Sequence, residues 1–119
     1  MGRRRHSTPT HFDYHDEVVA DLFGGDAGEA GQHMRLFMAP GMAHCRGGVG
    51  PNEADYLAVL DTWVISDTAP EFVLARHRTD GRVNNERPLC PYPKRAVYTG
   101  PPDQVNDPRH WIAANFSCR

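Results

Sequence analysis

The chain has 119 residues, a formal net charge of −2 and 39% hydrophobic residues. A slightly acidic chain has no general attraction to nucleic acid or to anionic membranes, and no apolar run approaches the about 18 residues of a membrane span. With 11 glycines and 10 prolines, the composition favours a loop-rich piece over a domain with a well-filled core. We therefore expect neither a nucleic-acid partner nor a membrane partner.

The N-terminal residues 1–10 form a basic stretch that contains Arg3, Arg4 and Arg5. These arginines could contact phosphates, but the acidic remainder of the chain favours a disordered or non-native N-terminus. The charged start is typical of a signal peptide, yet no apolar stretch follows it. We expect no signal peptide in this chain and a folded part over residues 11–119.

A helical pattern runs from His11 to Phe23 and ends at Gly24-Gly25. Its apolar stripe consists of Phe12, Val18, Val19, Leu22 and Phe23. His11 and His15 are i, i+4 neighbours that could in principle bind a metal ion. Because no third ligand is near in sequence, a surface pair is the favoured interpretation. Small residues from Asp26 to Gln32 then predict a loop.

Residues Leu36 to Pro40 predict a short buried strand, which the Pro40-Gly41 turn ends just before His44. In open α/β sheets, ligands bind at this end of a strand. A glycine-rich loop, residues 46–51, and an amphipathic helix follow. The order strand, histidine loop, helix is how an α/β-hydrolase presents the last residue of its Ser, Asp or Glu, His triad. The pattern predicts an α/β fold with His44 as the end of a triad.

The following helix is predicted from Glu53 to Ser66, with Asn52 as its N-cap. Apolar residues at helical spacing predict a face packed on a sheet, with Trp63 as a core anchor. They are Tyr56, Leu57, Leu60, Trp63 and Val64.

A β-hairpin is predicted next, with strands from Phe72 to His77 and from Arg82 to Arg87 around an Asp80-Gly81 turn. From Pro88 onward, prolines recur at positions 88, 91, 93, 101, 102 and 108. Because proline cannot donate a backbone hydrogen bond, this segment is predicted to be an irregular tail without regular ladders.

Three cysteines, Cys45, Cys90 and Cys118, fit neither a CxxC metal pattern nor a dense disulfide scaffold. Their odd number leaves one without a partner inside the chain. If Cys90 and Cys118 pair, the closed loop would stabilise the tail by roughly 3–4 kcal/mol on a loop-entropy model. Cys45 would then need a partner outside this chain.

Two segments are long and specific: Arg35-Leu36-Phe37-Met38-Ala39-Pro40-Gly41-Met42-Ala43-His44-Cys45 and Arg87-Pro88-Leu89-Cys90-Pro91-Tyr92-Pro93. Together with the loop of residues 47–51, Trp63 and Ala69-Pro70-Glu71, they resemble the C-terminal part of the tannase and feruloyl esterase family. The resemblance covers most of the chain from about Ser7 onward. It implies that residues 11–119 are the C-terminal portion of an α/β-hydrolase catalytic domain.

The resemblance also implies the roles of individual residues. His44 would be the catalytic histidine of a Ser-Asp-His triad. Cys45 would bridge to a cysteine that directly precedes the nucleophilic serine, outside this chain, and Cys90 would pair with Cys118. No cofactor or metal is implied for this chain, since the family's calcium ion is bound by a lid domain that the sequence does not contain.

The implied protein is a secreted or periplasmic serine carboxylic ester hydrolase that acts on hydroxycinnamoyl or galloyl esters. None of Ser7, Ser66 and Ser117 lies in the Gly-x-Ser-x-Gly type of elbow that presents the nucleophile. Arg3, Arg4 and Arg5 stand where the family's aspartate is expected. We therefore expect a C-terminal fragment, or a gene with a mis-assigned start, that is inactive by itself.

One alternative belongs to a different class of protein. A small binding or metal module could use His11, His15, His44 and Cys45 as ligands, although their spacing gives this little support.

Overall fold

The computed structural model of the protein describes residues 10–44 and 46–119. The described residues divide into two compact units, the first ending at Leu36 and the second beginning at Phe37. The first unit contains α1 (His11–Phe23) and α2 (Ala27–Ala30). The second contains α3 (Tyr56–Ser66), β1 (Val73–Thr79), β2 (Arg82–Leu89), β3 (Ala96–Tyr98), β4 (Phe116–Cys118) and three 3-10 turns at Pro102–Gln104, Pro108–His110 and Ala113–Asn115. In the described part of the chain, no helix is long and apolar enough to cross a membrane.

Helix α1 has the predicted bounds because both of its ends are capped. The Thr10 amide donates to Oδ2 of Asp13 at 2.9 Å and the Thr10 hydroxyl accepts from the Asp13 amide at 3.4 Å, which is a capping box. The helix ends at Gly24, whose φ is 58°. Within the predicted stripe, Val19 is buried and Leu22 is exposed. The N-terminal stretch that was predicted to be disordered or non-native covers residues 1–10. Residues 1–9 lie outside the described residues, and Thr10 is the N-cap of α1.

The predicted loop from Asp26 to Gln32 contains a short helix, so that prediction was wrong in part. The Oδ1 atom of Asp26 accepts from the Glu29 amide at 2.9 Å and caps the single turn Ala27–Ala30. An aspartate at an N-cap is enough to favour one helical turn among small residues.

The predicted strand from Leu36 to Pro40 is not formed. Among the described residues, its backbone makes one isolated antiparallel bridge, between Phe37 and Pro91. Pro91 has no amide hydrogen, so it cannot continue a ladder along this segment. Phe37 and Ala39 nevertheless pack against the core of the second unit.

Helix α3 begins at Tyr56 rather than at Glu53, and its N-cap is Asp55 rather than Asn52. The amides of Asn52 and Glu53 donate to the Arg76 carbonyl oxygen at 2.8 and 3.0 Å, so this backbone pairs with β1 and cannot be helical. The Oδ1 atom of Asp55 then accepts from the Ala58 amide at 3.0 Å.

Only one edge of the predicted face of α3 packs in this unit. Leu57 is 80% exposed and Val64 is 73% exposed, and Trp63 is half-buried rather than a core anchor. Val59, four residues before Trp63 and at the edge of the predicted face, packs against the core. The helix therefore rests on the hairpin through its Val59 side.

The β1–β2 hairpin confirms the prediction. The strands pair antiparallel from Val73 opposite Leu89 to Thr79 opposite Arg82. Asp80 and Gly81, with φ of 49° and 78°, form the turn, since a type I′ turn needs positive φ at both central positions. The buried residues of the core are Val73, Ala75 and Leu89.

The tail is more regular than predicted. Strands β3 and β4 pair antiparallel, with Ala96 opposite Cys118 and Tyr98 opposite Phe116. The ladder forms because residues 94–100 and 109–119 contain no proline. A disulfide joins Cys90, which directly follows β2, to Cys118 in β4, as the resemblance implies.

Candidate catalytic histidine loop

His44 is an exposed residue of a closed loop, residues 41–50, which we call the His44 loop. The Gly50 amide donates to the Gly41 carbonyl oxygen at 2.9 Å, and the Ala43 amide donates to that of Gly47 at 3.0 Å. Met42 and Gly48 form an antiparallel bridge between these bonds. The backbone therefore holds His44 at the far end of a small antiparallel loop, where its imidazole is accessible. Cys45 lies outside the described residues.

Two glycines let the sides of the His44 loop approach each other. A Cβ atom at Gly48 would overlap the Gly41 carbonyl oxygen, and one at Gly50 would overlap the Pro40 carbonyl oxygen. Both overlaps exclude a side chain, so this backbone geometry requires glycine at both positions.

The C-terminal end of the His44 loop is tied to strand β1. Nδ1 of His77 lies 2.7 Å from the Gly50 carbonyl oxygen, so this nitrogen donates the hydrogen bond. Nε of Arg78 donates to Oε2 of Glu53 at 2.9 Å just beyond the loop. The sequence assigned His77 no role. The sequence held one indication of the contact between His77 and Gly50. Side chains alternate between the two faces of a strand, which places His77 on the same face of β1 as Val73 and Ala75.

An apolar cavity of about 930 Å³ lies between α3 and β1 in the second unit. The His44 loop contributes Met42 to its wall, two positions before His44. The other large lining side chains include Tyr56, Val59, Trp63, Phe72, Leu74 and Arg76. The base of the loop therefore adjoins an apolar surface.

The described residues do not support a metal module. Within residues 10–44 and 46–119, no group of three or more His, Cys, Asp or Glu side chains could hold a metal ion. Nδ1 of His15 is 3.3 Å from Oδ1 of its neighbour Asp16, and the ring of His33 stacks on Phe23 at 5.7 Å. These contacts are those of ordinary surface or half-buried histidines.

Neither described serine is placed as a nucleophile. The Ser66 hydroxyl donates to the Thr62 carbonyl oxygen at 2.7 Å in the last turn of α3. The Ser117 hydroxyl accepts from Nε of Arg119 at 3.1 Å in β4. A hydrolase nucleophile instead occupies a sharp turn between a strand and a helix. Ser7 lies outside the described residues. The described part of the chain thus presents a candidate histidine without a nucleophile elbow.

Comparison with known proteins places this loop in a family. The family model "Tannase and feruloyl esterase" matches residues 5–112. The mono(2-hydroxyethyl) terephthalate hydrolase of Piscinibacter sakaiensis is 40% identical over 109 residues, which cover 89% of this chain and 16% of that protein.

Two solved structures resemble the fold. An esterase and feruloyl esterase B, both from Aspergillus oryzae, superpose with TM-scores of 0.72 and 0.70 at 27% identity. In each case the match covers 91% of this chain and 23% of the other. The chain therefore spans about a fifth of the length of these relatives, and its mixed helices and strands correspond to part of an α/β-type esterase. The chain belongs to the tannase and feruloyl esterase family.

Proposed function

We propose that His44 is the catalytic histidine of a Ser-Asp-His triad, and that this chain is a C-terminal part of a serine carboxylic ester hydrolase. The observation that carries the proposal is the exposed His44 on a glycine-closed loop, inside the segment that matches the family model. The serine, the aspartate and the oxyanion donors would come from the remainder of the enzyme.

Ester hydrolysis by a serine nucleophile requires a group that can both accept and release a proton near neutral pH. An imidazole does so because its ordinary pKa is about 6.5. His44 takes the proton of the serine hydroxyl as the serine oxygen attacks the ester carbonyl, and gives it to the departing alcohol. It then activates water in the same way to release the acid from the acyl-enzyme. The triad carboxylate orients the ring, and backbone amides stabilise the oxyanion.

The substrate we infer is an aromatic ester, of the hydroxycinnamoyl or galloyl type. The family description and the named activities of the relatives, feruloyl esterase and mono(2-hydroxyethyl) terephthalate hydrolase, support this class. The Cys90–Cys118 disulfide supports a secreted or periplasmic enzyme, since disulfides persist in oxidising compartments. By the same family argument, Cys45 bridges to a cysteine beside the nucleophile, and calcium is bound in a lid domain outside this chain.

A chimera tests the role of His44. Residues 10–119 replace the corresponding segment of feruloyl esterase B from Aspergillus oryzae, and hydrolysis of methyl ferulate is measured. We expect an active chimera whose kcat falls by about a millionfold with His44→Gln, because the general base is lost.

The matched control is His110→Gln, which removes another histidine of the second unit and should leave kcat within about twofold. Thermal unfolding of each variant checks that the chimera is folded. A folded His44→Gln chimera with undiminished kcat would refute the catalytic assignment. The 119-residue chain alone should not hydrolyse methyl ferulate or methyl gallate.

A further inference from the structure

A second cavity, of about 280 Å³, lies in the second unit among β2, β3, β4 and the tail. Its lining includes Arg87, Tyr98, Val105, Trp111 and Phe116. Two side-chain atoms there, Nε of Arg87 and the hydroxyl oxygen of Tyr98, are buried and have no hydrogen-bond partner among the described residues. Buried polar atoms are nearly always hydrogen-bonded, so two unpaired ones in a single cavity point to a ligand.

Arg87 brings a positive charge into this cavity. It lies on β2 opposite Ala75, and its Cζ atom is 5.4 Å from the centre of the Phe116 ring. Burial lowers the pKa of the guanidinium, which nevertheless stays protonated at neutral pH. The aromatic face compensates only part of the cost of burying the charge. A bound anion would compensate the remainder of this cost.

Tyr98 lines the same cavity and packs against the same aromatic ring as Arg87. The Tyr98 ring packs edge-on against Phe116 with centres 5.6 Å apart. Its hydroxyl oxygen lies only 2.5 Å from where a Cβ atom at Gly100 would be, so glycine leaves it just enough room. Arg87 and Tyr98 thus both contact Phe116, and both can donate a hydrogen bond.

Two other polar side chains of the lining are already engaged. Oε2 of Glu86 accepts from Nε of Arg76 at 3.2 Å. Nε1 of Trp111 donates to the Val105 carbonyl oxygen at 2.8 Å, which fixes the indole in the wall. The buried unpaired donors of the lining belong to Arg87 and Tyr98, while the Asn85 amide also lines the cavity.

We propose that this cavity binds a small aromatic carboxylate. The carboxylate accepts hydrogen bonds from Nε of Arg87 and the Tyr98 hydroxyl, and the ring of the ligand packs beside Trp111. The volume lies just below the lower end of the range for ligand pockets, about 300 Å³, which limits the ligand to about the size of benzoate. The site does not involve His44 itself, although Val49 and Gly50 of the His44 loop also line the cavity.

Titration of the 119-residue chain with benzoate tests the site, followed by NMR of the Trp111 indole resonance. We expect a saturable shift, and at least about tenfold weaker binding of the neutral isostere benzamide, which lacks the charge. Arg87→Met should weaken benzoate binding by at least about tenfold, and Tyr98→Phe by about threefold or more. Arg82→Met, an exposed arginine on the same strand, is the matched control and should bind as the wild type does.

The proposal fails if benzoate causes no saturable shift, if benzamide binds equally well, or if folded Arg87→Met keeps the wild-type affinity. Should Arg87→Met not fold, Tyr98→Phe decides the matter, because it removes one oxygen and keeps the ring. None of these outcomes bears on the His44 chimera.

Discussion

At the scale of single residues, the His44 loop depends on Gly48. This residue has a φ of 91°, and a Cβ atom there would overlap the Gly41 carbonyl oxygen. We expect Gly48→Ala to break the bond between the Gly50 amide and that oxygen. Hydrogen exchange of the Ala43 and Gly50 amides should then become much faster, since both are held only by this loop.

Gly47 provides a control with matched backbone geometry. Its φ is 82°, but an added Cβ atom would have no atom of the described residues within 4 Å. Gly47→Ala therefore costs only the left-handed backbone strain of an alanine, about 1–2 kcal/mol, without a clash. If the two variants accelerate exchange equally, the close approach at Gly48 does not hold the loop.

Asp107 gives a pH-dependent prediction at the same scale. The hydrogen bond from the Arg109 side chain, and then that from the Arg109 amide, lower the pKa of Asp107 to about 2. Because the folded-state pKa lies below the ordinary value, the carboxylate stabilises the fold above pH 4 or so and loses this effect as the pH falls through about 2. NMR titration of the Asp107 carboxyl carbon should give a midpoint near that value.

Arg109→Gln should raise the Asp107 midpoint toward the ordinary 3.8, because it removes the first of these hydrogen bonds. Arg82→Gln, an exposed arginine on β2, should leave it unchanged. An unchanged midpoint in Arg109→Gln would contradict the assigned cause.

At the scale of elements, the hairpin core and α3 should respond differently to the same substitution. Leu89 on β2 is 2% exposed, whereas Leu57 on α3 is 80% exposed. Leu89→Ala should lower the free energy of unfolding by about 2–5 kcal/mol, and Leu57→Ala should change it by no more than about 0.5 kcal/mol. Urea denaturation of the 119-residue chain measures both. Equal losses would mean that α3 buries the face predicted from its sequence.

Sequence signals within a few residues determined the bounds of some elements, and pairing with residues distant in sequence determined the bounds of others. The capping box of Thr10 and the Asp80-Gly81 turn act within a few residues, so α1 and the hairpin were predictable. The start of α3 was not, because the amides of Asn52 and Glu53 pair with Arg76, which is distant in sequence. The strand predicted at Leu36 failed for a related reason, since a strand exists only where a neighbour can pair with it.

At the scale of the whole molecule, the Cys90–Cys118 disulfide should carry much of the stability of the second unit. It closes a loop with a sequence separation of 28 residues. On the loop-entropy model, the double variant Cys90→Ser/Cys118→Ser should lose about 3–4 kcal/mol of unfolding free energy in urea. Cys45→Ser, which keeps this disulfide, is the control.

A thiol titration gives a check on the same disulfide without mutation. Of the three cysteines, two are joined, so the unfolded but unreduced chain should show one thiol. Three reactive thiols would contradict the pairing, and the loss expected for the double variant would then not be observed.

The sequence by itself determined the family, the candidate histidine and the positions of the turns. The segment around His44 and the glycines after it carry this information in adjacent residues, where spacing and backbone preference act directly. Only the tertiary structure decided what holds them in place. The bond from His77 to Gly50 and the joint placement of Arg87 and Tyr98 around Phe116 join residues far apart in sequence. Such contacts depend on how the elements pack, and no local pattern specifies that.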